Sequence, residues 1–505
     1  MVDKVVVTNE TELAARYGPA GLASVQAALA LLIAADARRG IATRVLAIDD
    51  PGQMGAVGGS PVSSGADEPG AKAAVDAASV AWNPDYILLL GGPDIIPHIH
   101  LSPIPGLNDG DPDIPSDLPY ASPAAWSRTA SKFLAVTRVV GRLGAPEGAN
   151  SADLLVGLIE TAAAHRPRAA SRFSKWFGMS ADVWKASTQQ SLTNVFGRAT
   201  GLRLSPYDQH RGIDPDLTRL AHFINCHGAP AIDEFYGQQG SSYPVAIKGP
   251  NLAPNVRGGT VVAAECCFGA QLYDYAALGV GRPICSVYLE NGAAAFVGST
   301  NTAYGPATGN GQADLLTQGF LKYALAGAST GRALLQARHD FIRTQVMSSP
   351  SNLKTIAQFL LLGDPSLQPC QTDSAAPGAP APAPDPVAQR KSRRFGLHEE
   401  GLAVQAMATW PGQPTAPPAE VLAELQQLQQ AHGMADRTLH VLEADGGSHY
   451  LATTRDLGQQ RLVAIAVHSD TSPVEGPPRS FTRVRVFTGH ILDARVVRAE
   501  TIESR

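Results

Sequence analysis

The sequence predicts an α/β fold: a mostly parallel sheet flanked by helices, laid out in two α/β halves and followed by a small α+β domain at the carboxyl end. Three observations carry that expectation. Apolar strand-like runs alternate with helical runs from residue 4 to about 105 and again from about 150 to 370. Those strand runs are apolar throughout rather than at every second position, as in strands covered on both faces. A tract of alternating alanine and proline at 372–394 then separates this region from shorter, alternating segments.

The elements follow in order. "KVVVT" reads as the first strand, "GLASVQAALALLIAADARRG" as an amphipathic helix stopped at Gly40, and "TRVLAID" as a second strand. "AKAAVDAASVAW" is a helix, and "DYILLLGG" a buried strand ended by Gly91, Gly92 and Pro93. Proline, aspartate and glycine dominate 101–125, which reads as loop. "SADLLVGLIETAAAHRP" carries a cap signal in Ser151 or Asp153, and "SADVWKASTQQSLTNVFG" opens with a second Ser-Ala-Asp cap. "HFINCHG", "TVVAAECC" and "AAAFVGST" read as buried strands, and "QADLLTQGFLKYALAG" and "TGRALLQARHDFIRTQVM" as helices. Beyond the spacer, "PAEVLAELQQLQQAHG" is a helix, while "TLHVLEA", "HYLATT", "RLVAIAVHS" and "RVRVFTGHIL" alternate as strands do.

A chain of 505 residues exceeds one ordinary core. The expected boundaries are 1–148 for an N-terminal α/β subdomain, 149–371 for a second subdomain, 372–394 for the spacer and 395–505 for the carboxyl-terminal domain. A net charge of −5 gives no electrostatic case for nucleic acid or an anionic membrane surface. The amino end does not read as a signal peptide, and the apolar part of the first helix reads as too short to span a membrane. Five cysteines make a disulfide framework unexpected and favour a reducing, cytoplasmic setting.

Two strand ends carry chemistry. "HFINCHGAP" delivers His227 and Gly228 to a tip, and "GTVVAAECCFGAQLYD" delivers Cys266 and Cys267, with 40 residues between His227 and Cys267. In a parallel sheet such tips are where ligands and catalytic groups collect. An imidazole beside a thiol can supply the thiolate, and the unobstructed Gly228 amide can face a developing oxyanion. Other readings stand beside this one. His227 could be a core histidine, and one of the two cysteines is expected inward because neighbours on a strand face opposite ways. The same alternation argues against a zinc site built from Cys226, His227, Cys266 and Cys267. "GGPD" at 91–94 lacks the glycine spacing of a nucleotide cradle, and no cofactor is expected. Asp117 and Asp364 sit in turn motifs, where aspartate caps backbone amides.

These segments together resemble the caspase-like cysteine peptidases of the gingipain type. "FINCHGA" resembles the run ending in His-Gly, and "VVAAECCFGA" the run ending in a cysteine followed closely by glycine. "ILLLGGPDIIPH", "SDLPYA", "RVVGRL", "GAAAFVGSTNTAYG" and "LLGDPSLQP" follow in family order, so the resemblance spans about 80–370. It implies a caspase-like sheet and a cysteine endopeptidase acting on a polypeptide through a His–Cys dyad. His227 would be the base, and Gly228 with the nucleophile's own amide would hold the oxyanion. Cys-x-x-Gly spacing selects Cys266, whereas an acidic residue two before the cysteine selects Cys267. The second register explains more positions, and Cys267 is preferred, with Cys266 the alternative. In relatives the acidic residue two before the cysteine lines the pocket before the scissile bond. Glu265, with Asp274, Asp233 and Glu234 nearby, would then favour a basic or amide side chain; alternatively Glu265 only accepts hydrogen bonds. The carboxyl-terminal domain lies outside the resemblance, and its expected role is to bind a protein partner. A catalytically silent caspase-fold scaffold is the alternative function, and the basic run Arg390 to Arg394 would suit self-processing.

Overall fold

The structure, a computed structural model, describes residues 2–107, 109–208, 210–371, 417–435, 437, 439–444, 461–473, 480–492 and 495–504. The expected spacer at 372–394 and the expected strand "HYLATT" lie outside the described residues.

Ten strands form one sheet. In chain order they are β1 (Lys4–Thr8), β2 (Thr43–Ala47), β3 (Tyr86–Leu90), β4 (Val140–Leu143), β5 (Phe177–Ala181), β6 (Arg203–Ser205), β7 (Ala221–Asn225), β8 (Val261–Ala264), β9 (Ala295–Ser299) and β10 (Phe359–Leu362). Their spatial order is β2-β1-β3-β4-β10-β9-β8-β7-β5-β6. Every pairing is parallel except β9 with β10. The two predicted α/β halves are therefore two parallel half-sheets running oppositely and joined into one. The join is made by β10, which comes last in sequence yet pairs with β4 of the first half through Leu362 and Arg142.

The apolar runs become a continuous core: Val5, Leu88, Phe223, Val262, Phe296 and Leu361 are all buried in one cluster. Burying each such side chain contributes about 1.5–3 kcal/mol, so the sheet is the main source of stability. Charge is used at the join. Lys4 is buried between Asp36 at 2.8 Å and Asp364, tying β1 to the turn after β10. Burial works against the Asp364 carboxylate, but Lys4 overrides it and holds the group below its usual range. Arg142 grips Asp117 in the same way, with Nε and Nη2 at 2.9 and 2.6 Å. The cap expected of Asp364 is present, since Oδ1 accepts from the Ser366 amide at 2.9 Å.

Helices cover both faces. α1 (Glu10–Arg38) is capped by Asn9 and broken at Gly18, φ +71°, just before Pro19. The predicted helix follows that break, and the helical turns at 10–17 that precede it were not predicted. The expectation that this segment is too short for a membrane is thereby corrected: its 29 residues, with mean hydropathy 1.7 in the best window, suffice by length and composition. Here the helix buries Leu13, Val25, Ala28, Leu29 and Leu32. α2 (Asp153–Ala164) starts where predicted, with the Ser151 hydroxyl accepting from the Asp153 amide. The second Ser-Ala-Asp signal is not a cap: Ser180 and Ala181 finish β5, and α3 (Lys185–Phe196) starts only after Trp184. α4 (Gln312–Leu325), α5 (Thr330–Thr344) and α6 (Pro350–Gln358) complete the layers.

The carboxyl-terminal residues form α7 (Ala419–Ala431) and four antiparallel strands, β12 (His440–Ala444), β13 (Arg461–Pro473), β14 (Ser480–Leu492) and β15 (Arg495–Ser504). A fifth member of that sheet comes from elsewhere: the two-residue strand β11 (Tyr304–Gly305) pairs antiparallel with β15. The sequence reading did not predict β15.

Candidate active site

β7 and β8 are parallel neighbours in register, Ala221 opposite Val261 through Ile224 opposite Ala264. Their carboxyl ends therefore leave the sheet at one edge, which brings the two predicted tips together. The Glu265 amide still bonds Ile224 O at 2.8 Å, and the chains then separate. His227 is fixed by two backbone hydrogen bonds with Tyr236, each 2.9 Å. Gly228 lies hard against the other tip: a Cβ there would sit 1.9 Å from Cys267 O. Its N–H makes no hydrogen bond among the described residues.

The two cysteines part company. Cys266 faces the core beside Cys226, with Sγ 4.0 Å from Ile224 O. Burial pushes its thiol well above the ordinary value, and Cys226 adds to the effect. Cys267 turns the other way. Its Sγ receives the Ala303 N–H at 3.2 Å. Phe268 then takes φ +55°, a left-handed conformation uncommon for an aromatic residue. That turn aims the Phe268 amide at Asn301 O, 3.0 Å, and the Ala270 amide at Ser299 O, 2.8 Å. The segment after β9 is thus wrapped around the thiol. It is held in turn by the loop before β4: Asp111 accepts from the Thr302 amide, Asp109 from the Tyr304 hydroxyl, and Lys354 bridges both carboxylates.

The imidazole sits between aromatic rings, 4.3 Å from Trp184 and 5.0 Å from Tyr243 by centroid. Its Nε2 is 2.9 Å from Gln238 Oε1, and Gln238 Nε2 donates to Gly240 O at 3.1 Å. The second bond orients the amide, so Oε1 is the atom that faces the ring and Nε2 of His227 carries the proton. The basic lone pair is then on Nδ1. Neither functional atom is open to water: His227 is 0% and Cys267 2% exposed.

Two predicted residues lie apart from this contact. Glu265 is 0% exposed, its Oε1 2.9 Å from the Thr317 hydroxyl on α4, so it does not face a solvent-open pocket. Asp274 caps a short helical turn by accepting from the Ala277 amide at 2.9 Å, and its carboxylate lies against Gly148. Glu234 bonds the Tyr236 hydroxyl and pairs with Lys248 at 2.7 Å. Gln238, Trp184 and the Asn301–Tyr304 segment were not found from sequence. They come from other elements, and no spacing links them to the tips. Among the described residues no three histidine, cysteine or acidic side chains gather as a metal-binding set.

No curated protein matches the chain. A solved structure named "Structure of Protease" is similar over 99% of this chain and 97% of its own, at 12% identity and a TM-score of 0.47. The sequence model of Peptidase family C25 matches residues 250–370, the stretch holding β8, both cysteines, β9, β11 and β10. Over that stretch, about a quarter of the chain, the sequence is similar to peptidase family C25, the gingipain family of cysteine peptidases.

Proposed function

We propose that the protein is a cysteine endopeptidase whose nucleophile is Cys267 and whose base is His227. The observation that carries this reading is the approach of Gly228 to the Cys267 peptide at the ends of two adjacent parallel strands. Cys266 is the poorer nucleophile, since a thiol with a strongly raised pKa supplies little thiolate at neutral pH.

The residues divide the work as follows. Nδ1 of His227 takes the Cys267 proton, and Sγ attacks the carbonyl carbon of the scissile peptide. The Gly228 and Cys267 amides donate to the oxyanion that forms. The imidazolium then gives its Nδ1 proton to the leaving amine, and the same nitrogen deprotonates the water that releases the acid product. Gln238 is a positioning residue. It keeps the proton on Nε2 through both steps, but as a neutral amide it stabilises the imidazolium less than a carboxylate would. No disulfide joins any of the five cysteines, which suits a reducing, cytoplasmic setting.

A silent scaffold is favoured by one observation, the near-complete burial of both functional side chains. Labelling with an acyloxymethyl-ketone peptide separates the two. Labelling lost in Cys267→Ala and His227→Ala but kept in Cys266→Ala supports the peptidase. Labelling kept in Cys267→Ala removes that nucleophile, and no labelling or turnover in any form supports the scaffold.

A further inference from the structure

The carboxyl-terminal strand ends beside the candidate thiol. Ala303 donates its amide to Cys267 Sγ, and β11 begins at the next residue. One edge of β11 is already filled: Tyr304 is opposite Ser504 and Gly305 opposite Glu503, antiparallel. The filling strand is firmly placed. β15 pairs along most of its length with β14, and Ile502 and Val486 are buried in the main core rather than in the small domain's own clusters. Tyr304 is itself buried against the Cys267 thiol and Asp109.

An extended polypeptide brought to Cys267 must run past the backbone that borders Sγ, and an open strand edge is the usual way to hold such a chain. We propose that β15 is an autoinhibitory strand, occupying on Tyr304–Gly305 the backbone pairing that an extended polypeptide substrate would use. The inference rests on the reading of Cys267 as nucleophile. It gives the carboxyl-terminal domain a role in regulation. Release of β15 from β11 would free the edge, and a substrate segment would take its place in the same antiparallel sense.

The test uses the full chain and two full-chain variants. Ile502→Asp removes the apolar anchor, and Glu503→Pro bars regular pairing at the position facing Gly305. Two quantities are read: hydrogen exchange at the Tyr304 and Gly305 amides, and the rate of Cys267 alkylation by iodoacetamide. The expected result is slow exchange in the parent chain, fast exchange in both variants, and alkylation about tenfold or more faster in the variants. A synthetic peptide with the sequence of residues 495–504, added in excess, should slow alkylation of the variants again. Faster exchange with an unchanged alkylation rate would make β15 a structural edge only and overturn the proposal. So would fast exchange in the parent, or global loss of near-ultraviolet circular dichroism in both variants. Faster alkylation without peptide cleavage or dependence on His227 would leave the cover standing and remove the peptidase reading instead.

Discussion

Gly228 and Cys267 meet so closely that one methyl group on residue 228 would fall 1.9 Å from the Cys267 carbonyl oxygen. No side chain can be accommodated without moving one of the tips, since the obstacle is backbone. Gly228→Ala should therefore cost about 1–3 kcal/mol of stability. It should also slow Cys267-dependent peptide cleavage by roughly a hundredfold, because about 1 Å of misplacement has that effect in a catalytic pair. Thermal unfolding and kcat/KM measured on the same preparation check both.

Gln238 offers a test of the ring assignment. Gln238→Leu leaves the buried Nε2 proton without its acceptor, and kcat should fall roughly 10–100-fold with little change in KM. Gln238→Glu should behave differently: a carboxylate there stabilises the imidazolium and, because the base must be neutral to take the thiol proton, moves the acid limb of the pH–rate profile upward. An unchanged profile in both variants would remove Gln238 from the mechanism.

The placement of Glu265 gives a prediction opposed to the one drawn from the resemblance. With its carboxyl buried against Thr317, Glu265→Gln should leave the preference for the residue before the scissile bond unchanged in a peptide library. A shift away from basic residues would instead return Glu265 to the substrate pocket.

Acid should act on the buried ion pairs. Burial works against the Asp117 carboxylate, but Arg142 and His98 override it and hold the group below the usual carboxylate range. A carboxylate depressed in the folded state contributes stability that is present above the unfolded value. That contribution is lost as pH falls below about 4. Asp117→Asn should remove this acid-side slope and, by leaving Arg142 without its charge partner, destabilise the fold by about 3–5 kcal/mol at neutral pH. Urea unfolding at pH 7 and at pH 3 measures both effects.

The strands and the two tips were readable because each is local. Unbroken apolar runs specify doubly covered strands, and His227, Gly228, Cys266 and Cys267 directly follow two of them. Alternation along a strand also anticipated that one cysteine would face the core, as Cys266 does. What could not be read depends on distant contacts. Gln238 reaches the imidazole from the loop after Tyr236, and Asp109 and Asp111, bridged by Lys354, brace Thr302 and Tyr304 from nearly 200 residues away in sequence. The helical turns at 10–17, before the Gly-Pro break, were missed because they carry too few apolar residues to stand out as a periodic run. Ser180 was taken for a cap because Ser-Ala-Asp serves equally well to end a strand.

The late arrival of β10 has a consequence for how the chain is made. Until Phe359–Leu362 leave the ribosome, β4 presents a bare margin and nothing couples the opposed half-sheets. Nascent forms ending earlier are exposed to mispairing and to chaperone capture. For the same reason the stretch 250–370, though it bears the family signature, lacks the neighbouring strands it would need to stand as an autonomous unit.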